Sequence, residues 1–334
     1  MKLSFTEYLI LPINLIFLFF QLRTIDFSLS YFNFLFIDLL LPYIIIINLF
    51  FFFFWILRSK WPFLLFLPFL FFYGEWSRVY KLPETVIRNS NELIKVMSYN
   101  VRLFNKYDWI KDINVPKKIL NFISNEDPDI ISFQEYSIND SPNFLEYPYK
   151  FVKKTKLNGS VGLAIFSKFK IIDKGYLQFD NSNNGGIFID VIIKKDTIRV
   201  YNIHLESLRF NINDSGDLKN NSNNYFLKLN QVFNKQIDQS KLFQKIDGDN
   251  NYPSIVCSDL NNSQFSEVYK RIKGSKIDSF EEEGEGFGGT FDIFIFPFRI
   301  DFIFVDNRFK LYKYKTYDKI NFSDHKPISV KLNF

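Results

Sequence analysis

Residues Leu39–Leu57 (LLLPYIIIINLFFFFFWIL) run for nineteen positions without a charge. As a helix such a run is long enough to cross a bilayer core of roughly 30 Å. Two shorter apolar blocks flank it, Tyr8–Leu22 and Trp61–Tyr73, and each must borrow neighbouring residues to span or lie partly in the interface. No small-residue cleavage site follows Tyr8–Leu22, so an anchor is expected there and not a removed signal. Many of the 43 Phe crowd into this part, and a helical membrane anchor is expected over residues 1–74. Arg58 and Lys60 favour a cytoplasmic loop between the second and third blocks. Three crossings with Lys2 inside place everything after Tyr73 outside the cytoplasm, whereas two crossings reverse that. The expected location is a bacterial inner membrane with an extracytoplasmic catalytic part.

Outside the anchor the charge is nearly balanced, 37 basic against 33 acidic residues, which gives no nucleic-acid signature by itself. One cysteine, Cys257, excludes an intramolecular disulfide and a cysteine-based zinc site. Three apolar blocks are too few for a channel or transporter, and Asp38 is their one interior charge, set near a block's start.

Residues 75–92 read as a linker, and from residue 93 to 334 the pattern is that of a globular α/β chain. Strands are expected at Leu93–Tyr99, Asp129–Phe133, Gly162–Phe166, Ile187–Ile193, Ile198–Ile203, Ser254–Cys257 and Ile300–Val305. Val115, Ile119, Phe122 and Ile123 share one helical face, as do Phe226, Leu229, Phe233 and Ile237. The polar stretch Asn211–Asn224 reads as an exposed loop after His204 that could border a site.

Polar residues gather at the ends of these strands: Asn100, Glu135, His204, Asp259, Asn261, Asp301, and the pair Asp324–His325. Both histidines of the chain are among them. Each has an ordinary reading when taken singly. Asn100 suits a turn, His204 a structural histidine, and Asp259 with Asn261 a cap for a helix starting near Gln264. The ordered set points elsewhere, because strand ends in a layered fold converge on one site. Carboxylate and amide oxygens without cysteine suit a hard cation such as Mg²⁺ or Mn²⁺.

The ordered series SYNVR (98–102), FQE (133–135), GLAIFSK (162–168), NIHLES (202–207), SDLN (258–261), GGTF (288–291), RIDFIF (299–304) and SDHKP (323–327) resembles the endonuclease/exonuclease/phosphatase superfamily. The resemblance covers about Ile94 to Phe334. It implies a four-layer α/β sandwich, two mixed sheets flanked by helices, and Mg²⁺- or Mn²⁺-dependent hydrolysis of phosphate esters. It further implies Glu135 as main metal ligand with Asn100 and Asp324 close by. Asp259 orients or deprotonates water and Asn261 holds a phosphate oxygen. His325, fixed by Asp301, binds the scissile phosphate, and His204 contacts it from the other side. Ser258-Asp259-Leu260-Asn261 stands where the family commonly has Gly-Asp-Phe-Asn, and both polar positions survive. Apurinic-site endonucleases of the family carry Asp where this chain has Arg102 and Tyr where it has His204, which disfavours that activity. The expected substrate is a phosphate ester in nucleic acid, a lipid head group or a small molecule. A nuclease-like substrate is favoured over a phospholipid, and a domain that only binds phosphate ligands is the remaining alternative.

Overall fold

The computed structural model describes residues 3–22, 35–70, 73–83, 92–155, 160–208, 222–293 and 296–334. Helices α1 (Phe5–Gln21) and α2 (Leu35–Leu57) pair through polar ties set between apolar faces. Trp55 donates its indole N–H to Asn14 Oδ1 at 2.5 Å, Asn48 Nδ2 donates to the Phe17 carbonyl at 3.1 Å, and Arg58 meets Glu7 at 3.2 Å. Among the described residues one helix, Ile37–Leu57, is long and apolar enough to cross a membrane, and Phe5–Gln21 is shorter. The third apolar block is not one helix. The block divides into a 3-10 turn, Trp61–Phe66, with Pro62 in its first turn, and α3, Leu67–Leu70. Helix α4 (Tyr73–Val79) then returns toward the rest of the chain.

The first half of α2 packs against protein. Ile37, Leu41, Ile44 and Ile45 cluster with Val79 and Phe265, and Leu39 clusters with Phe298 and Ile300. Tyr43 donates its hydroxyl to the Pro297 carbonyl at 2.6 Å, and Ser263 donates to the Asp38 carbonyl. Asp38, the one interior charge of the apolar blocks, is buried here.

Fourteen strands follow in the described residues. The first seven are β1 (Ile94–Asn100), β2 (Ile130–Ser137), β3 (Tyr149–Lys154), β4 (Val161–Ser167), β5 (Ile171–Gln178), β6 (Gly185–Ile193) and β7 (Asp196–His204). Then come β8 (Ser254–Asp259), β9 (Ile277–Asp278), β10 (Phe291–Ile293), β11 (Phe296–Phe298), β12 (Asp301–Val305), β13 (Lys310–Thr316) and β14 (Ile328–Asn333). The helices between them are α5 (Val115–Glu126), α6 (Ser222–Gly248), α7 (Glu267–Lys273) and α8 (Ser279–Glu283). One six-stranded sheet runs β13-β14-β1-β2-β4-β3 and the other β5-β6-β7-β8-β12-β9, each mixed, with β10-β11 as a separate hairpin.

Period-two alternation builds the layers. Ile94, Val96 and Ile130 from one sheet meet Ile198, Val200, Ile255 and Ile303 from the other in the central core. The opposite faces carry Met97, Tyr99, Ile131 and Phe133 against Ile119 and Ile123 of α5. On the second sheet Tyr201, Val256 and Phe302 pack with Phe243 of α6 and Tyr269 of α7. The result is the expected four-layer sandwich of two mixed sheets with helices outside. The seven expected strands correspond to β1, β2, β4, β6, β7, β8 and β12. Residues 211–221 of the expected Asn211–Asn224 loop lie outside the described residues, and its last three open α6. The helix expected near Gln264 begins instead at Glu267, where Ser266 Oγ accepts the Tyr269 N–H at 3.1 Å, so Asp259 and Asn261 do not cap it.

Candidate active site

The inward column of each central strand changes from apolar to polar toward one end of the sandwich. Val96, Ser98 and Asn100 form such a column on β1, Val200, Asn202 and His204 on β7, and Ile255, Cys257 and Asp259 on β8. Register brings the ends together. His204 and Asp301 both lie opposite Asp259, and Asn100 lies opposite Gln134. Gln134 and Asn202 then bind the two sheets to each other beneath the cluster. Gln134 Nε2 donates to Asn202 Oδ1 at 2.8 Å, and Asn202 Nδ2 donates to the carbonyls of Phe133 and Ala164.

Alternation would send Glu135 to the face away from Gln134. Instead the β2–β4 register breaks between Phe133 and Tyr136, and Glu135 takes φ +48°, a left-handed conformation that re-aims its side chain. Gly162 permits the close approach of β3 opposite this bulge, since a Cβ there would lie 2.2 Å from the Lys153 carbonyl oxygen. Leu103, Glu135, Gly162, Asn184, His204 and Ser207 are among the residues lining an open cavity of about 230 Å³.

Asp259 is fully buried and its Oδ2 is the hub of the cluster. Asn100 Nδ2 donates to it at 2.9 Å, while His204 Nε2 lies 3.5 Å away and His325 Nε2 3.8 Å away. Asn100 Nδ2 also faces Glu135 Oε1 at 3.4 Å, so its amide braces two carboxylates. His204 Nε2 is buried and makes no hydrogen bond with the protein, leaving a donor or acceptor directed at the cluster. His325 Nδ1 meets Asp301 Oδ2 at 2.9 Å, and the ring stands 4.9 Å from Phe291. Burial opposes a charged His325, but the Asp301 and Asp259 carboxylates outweigh it and raise the imidazole pKa well above its ordinary value. We therefore assign the proton at Nδ1 to the histidine, facing Asp301.

Asn261, at φ +49°, donates its backbone N–H to Asp259 Oδ1 at 3.0 Å and its side chain to the Leu205 carbonyl at 3.2 Å. Asp324 sits on the flank, with Oδ2 3.3 Å from Arg102 Nε and Oδ1 accepting from Ser323 Oγ. All eight sequence-predicted residues thus reach one end of the sandwich, and Arg102, which pairs with Asp324, donates its N–H to Asn100 Oδ1 at 3.0 Å. Gln134, Asn202, Thr290 and Arg102 were not singled out as site residues. Thr290 Oγ1 accepts the N–H groups of Ile300 and Asp301 and so fixes the start of β12. For Gln134 and Asn202 the available signal was a polar residue inside an otherwise apolar strand, whereas Arg102 and Thr290 lie outside the strands.

Among the described residues, Asp259, Asp301 and His325 are also one acidic–histidine group whose candidate ligand atoms lie within 4.8 Å of one another. The Asp301–His325 hydrogen bond accounts for most of that proximity and occupies the inner ring nitrogen. Glu135 Oε1 lies 3.4 Å from the Asn100 amide and Asp324 Oδ2 3.3 Å from Arg102 Nε, and neither carboxylate bonds a histidine ring.

This pairing of sandwich and strand-end cluster defines a class, and the comparison with known families agrees with it. The chain belongs to the Endonuclease/Exonuclease/phosphatase family, whose model matches residues 97–325. No curated protein matches the chain. Three of the solved structures that share its fold illustrate the likeness. The human Nocturnin catalytic domain with bound sulfate is 18% identical, TM-score 0.55, over 72% of this chain and 93% of that one. A Bacteroides thetaiotaomicron mannosyl-6-phosphatase is 20% identical, TM-score 0.54, over 72% and 100%. D. rerio TDP2 complexed with a single-strand DNA product is 14% identical, TM-score 0.55, over 73% and 100%.

Proposed function

We propose that the chain is a membrane-anchored, divalent-cation-dependent phosphoric ester hydrolase that cleaves phosphodiester or phosphomonoester bonds, with nuclease-like substrates favoured. The observation that carries this reading is the convergence of Asn100, His204 and His325 on the buried Asp259 Oδ2 at 2.9, 3.5 and 3.8 Å. Family membership adds that relatives are phosphoric ester hydrolases that generally use a divalent metal.

Glu135 and Asp324, with Asn100 beside them, would hold the Mg²⁺ or Mn²⁺, which supplies positive charge to the phosphate when bound. Asp259 orients the attacking water and accepts its proton, and Asn100 and the Asn261 N–H keep that carboxylate in place. His325, charged because Asp301 and Asp259 face it, donates from Nε2 to a phosphate oxygen. His204 Nε2, which faces Asp259 Oδ2 at 3.5 Å without a hydrogen bond, contacts the phosphate from the opposite side and protonates the leaving oxygen. Asn261 holds a second phosphate oxygen. The water oxygen thereby joins phosphorus, the bond to the leaving oxygen breaks, and the water proton rests on Asp259. A phospholipid phosphodiester is the second candidate substrate, because Leu39 of α2 packs on Ile300, the neighbour of Asp301.

Full-length protein in detergent micelles, assayed with Mn²⁺ on bis-p-nitrophenyl phosphate, a thymidine oligomer and sphingomyelin, tests this. Asp259→Ala and His325→Ala should each lose on the order of 10²–10⁴-fold in kcat on whichever ester is hydrolysed. A folded wild type that turns over none of them would leave a phosphate-binding protein as the reading.

A further inference from the structure

The loop between β1 and α5 holds four consecutive non-glycine residues in the left-handed region: Arg102 (φ 40°), Leu103 (56°), Phe104 (55°) and Asn105 (61°). Left-handed residues with a Cβ are strained and persist only where the surroundings over-determine them. Here they do. Leu103 and Phe104 are buried, and the Asn105 side chain closes the loop by accepting from the Ile110 N–H at 2.9 Å and donating to its carbonyl at 2.8 Å.

The braced turn carries two large aromatic side chains to the surface. Tyr107 and Trp109 are 64% and 41% exposed, with ring centroids 5.2 Å apart at 73°. The Arg102 guanidinium lies 4.3 Å from the centre of the Trp109 ring, and its Nε is 3.3 Å from Asp324 Oδ2, the residue before His325. One arginine thus ties an aromatic surface to the flank of the phosphate site. Exposed aromatic rings, one of them with a guanidinium over it, suit a flat π-system. A sugar alone would need several fixed hydroxyl partners, and an acyl chain would need an apolar groove.

We propose that Tyr107, Trp109 and Arg102 form a platform on which a nucleobase next to the scissile phosphate stacks, which makes the substrate a base-bearing, single-stranded nucleotide chain. This rests on the phosphoesterase reading and narrows it. Stacking discriminates against the same phosphodiester without a base, and it is indifferent to which base is present.

The test compares a thymidine oligomer with an oligomer of equal length built from abasic tetrahydrofuran units, using full-length protein and Mn²⁺. The wild type should prefer the base-bearing chain in kcat/KM. Trp109→Ala should reduce that preference by roughly 5- to 150-fold, and Trp109→Phe should retain most of it. Separately, titrating the thymidine oligomer into metal-free protein should quench tryptophan fluorescence in the wild type and not in Trp109→Phe. No base preference in the wild type, or a preference untouched by Trp109→Ala, overturns the platform while hydrolysis of other esters leaves the phosphoesterase reading standing. If no ester is hydrolysed, that reading fails and the fluorescence titration alone decides the platform, a quench supporting it and its absence overturning it.

Discussion

Asp259 and Cys257 show how much a two-residue step decides. Both face inward on β8, one at the mouth of the sandwich and one a pleat deeper in the core. At the mouth a carboxylate meets three polar partners, whereas in the core the thiol meets mainly apolar side chains. Burial pushes the Cys257 thiol up to about 12, with the neighbouring Ser132 hydroxyl acting in the opposite direction. The native protein should therefore resist iodoacetamide at pH 8 and take up one equivalent only after unfolding, as mass spectrometry would report. Full labelling without loss of fold would contradict this burial. The same alternation made Asn100, His204 and Asp259 legible in the sequence, since each ends an apolar strand on its inward face. Glu135 breaks the alternation, and its aim depends on a bulge that no residue pattern announces. The Gln134–Asn202 bond was equally hidden, because its partners are 68 positions apart and lie on different sheets.

At the scale of elements, Glu126 closes α5 onto the first sheet. Its carboxylate accepts from Lys95 Nζ on β1 at 2.5 Å, Tyr317 Oη at 2.6 Å and Lys315 Nζ on β13 at 3.1 Å. Burial alone would raise its pKa, but these donors prevail and lower it to about 2. A depressed folded-state value means the stabilisation is complete above the ordinary value of 4.5 and is lost as pH falls from there toward about 2. Glu126→Gln should cost about 1–2 kcal/mol at pH 7, allowing for partial solvent screening. The gap between the two urea midpoints should narrow as the pH drops to 3, and an unchanged gap would contradict the assignment. The strands that the sequence did not disclose are mostly sheet edges. β3, β5 and β13 (YKFVKK, IIDKGYLQ and KLYKYKT) carry lysines and half-exposed positions that blur the apolar pattern, as edges commonly do. The central strands, covered on both faces, wrote themselves plainly as apolar runs.

For the whole molecule, the N-terminal apolar helices and the sandwich are joined by more than a tether. Leu39 and Tyr43 of α2 pack on Phe298, and Arg78 after the apolar segments meets Glu281 at 3.2 Å. Hydropathy disclosed the apolar helix but not this docking, because an uncharged face reads alike whether it meets lipid or protein. The ordered strand-end motifs named in advance the residues that the fold collects at one end of the sandwich, the candidate site. The central claim is that this site hydrolyses phosphate esters with a divalent cation, and the most direct measurement is hydrolysis by full-length protein before chelation, after EDTA treatment, and after return of Mg²⁺ or Mn²⁺. Loss of activity on chelation and recovery with the cation is the predicted result. Hydrolysis that continues undiminished in excess chelator would contradict the claim.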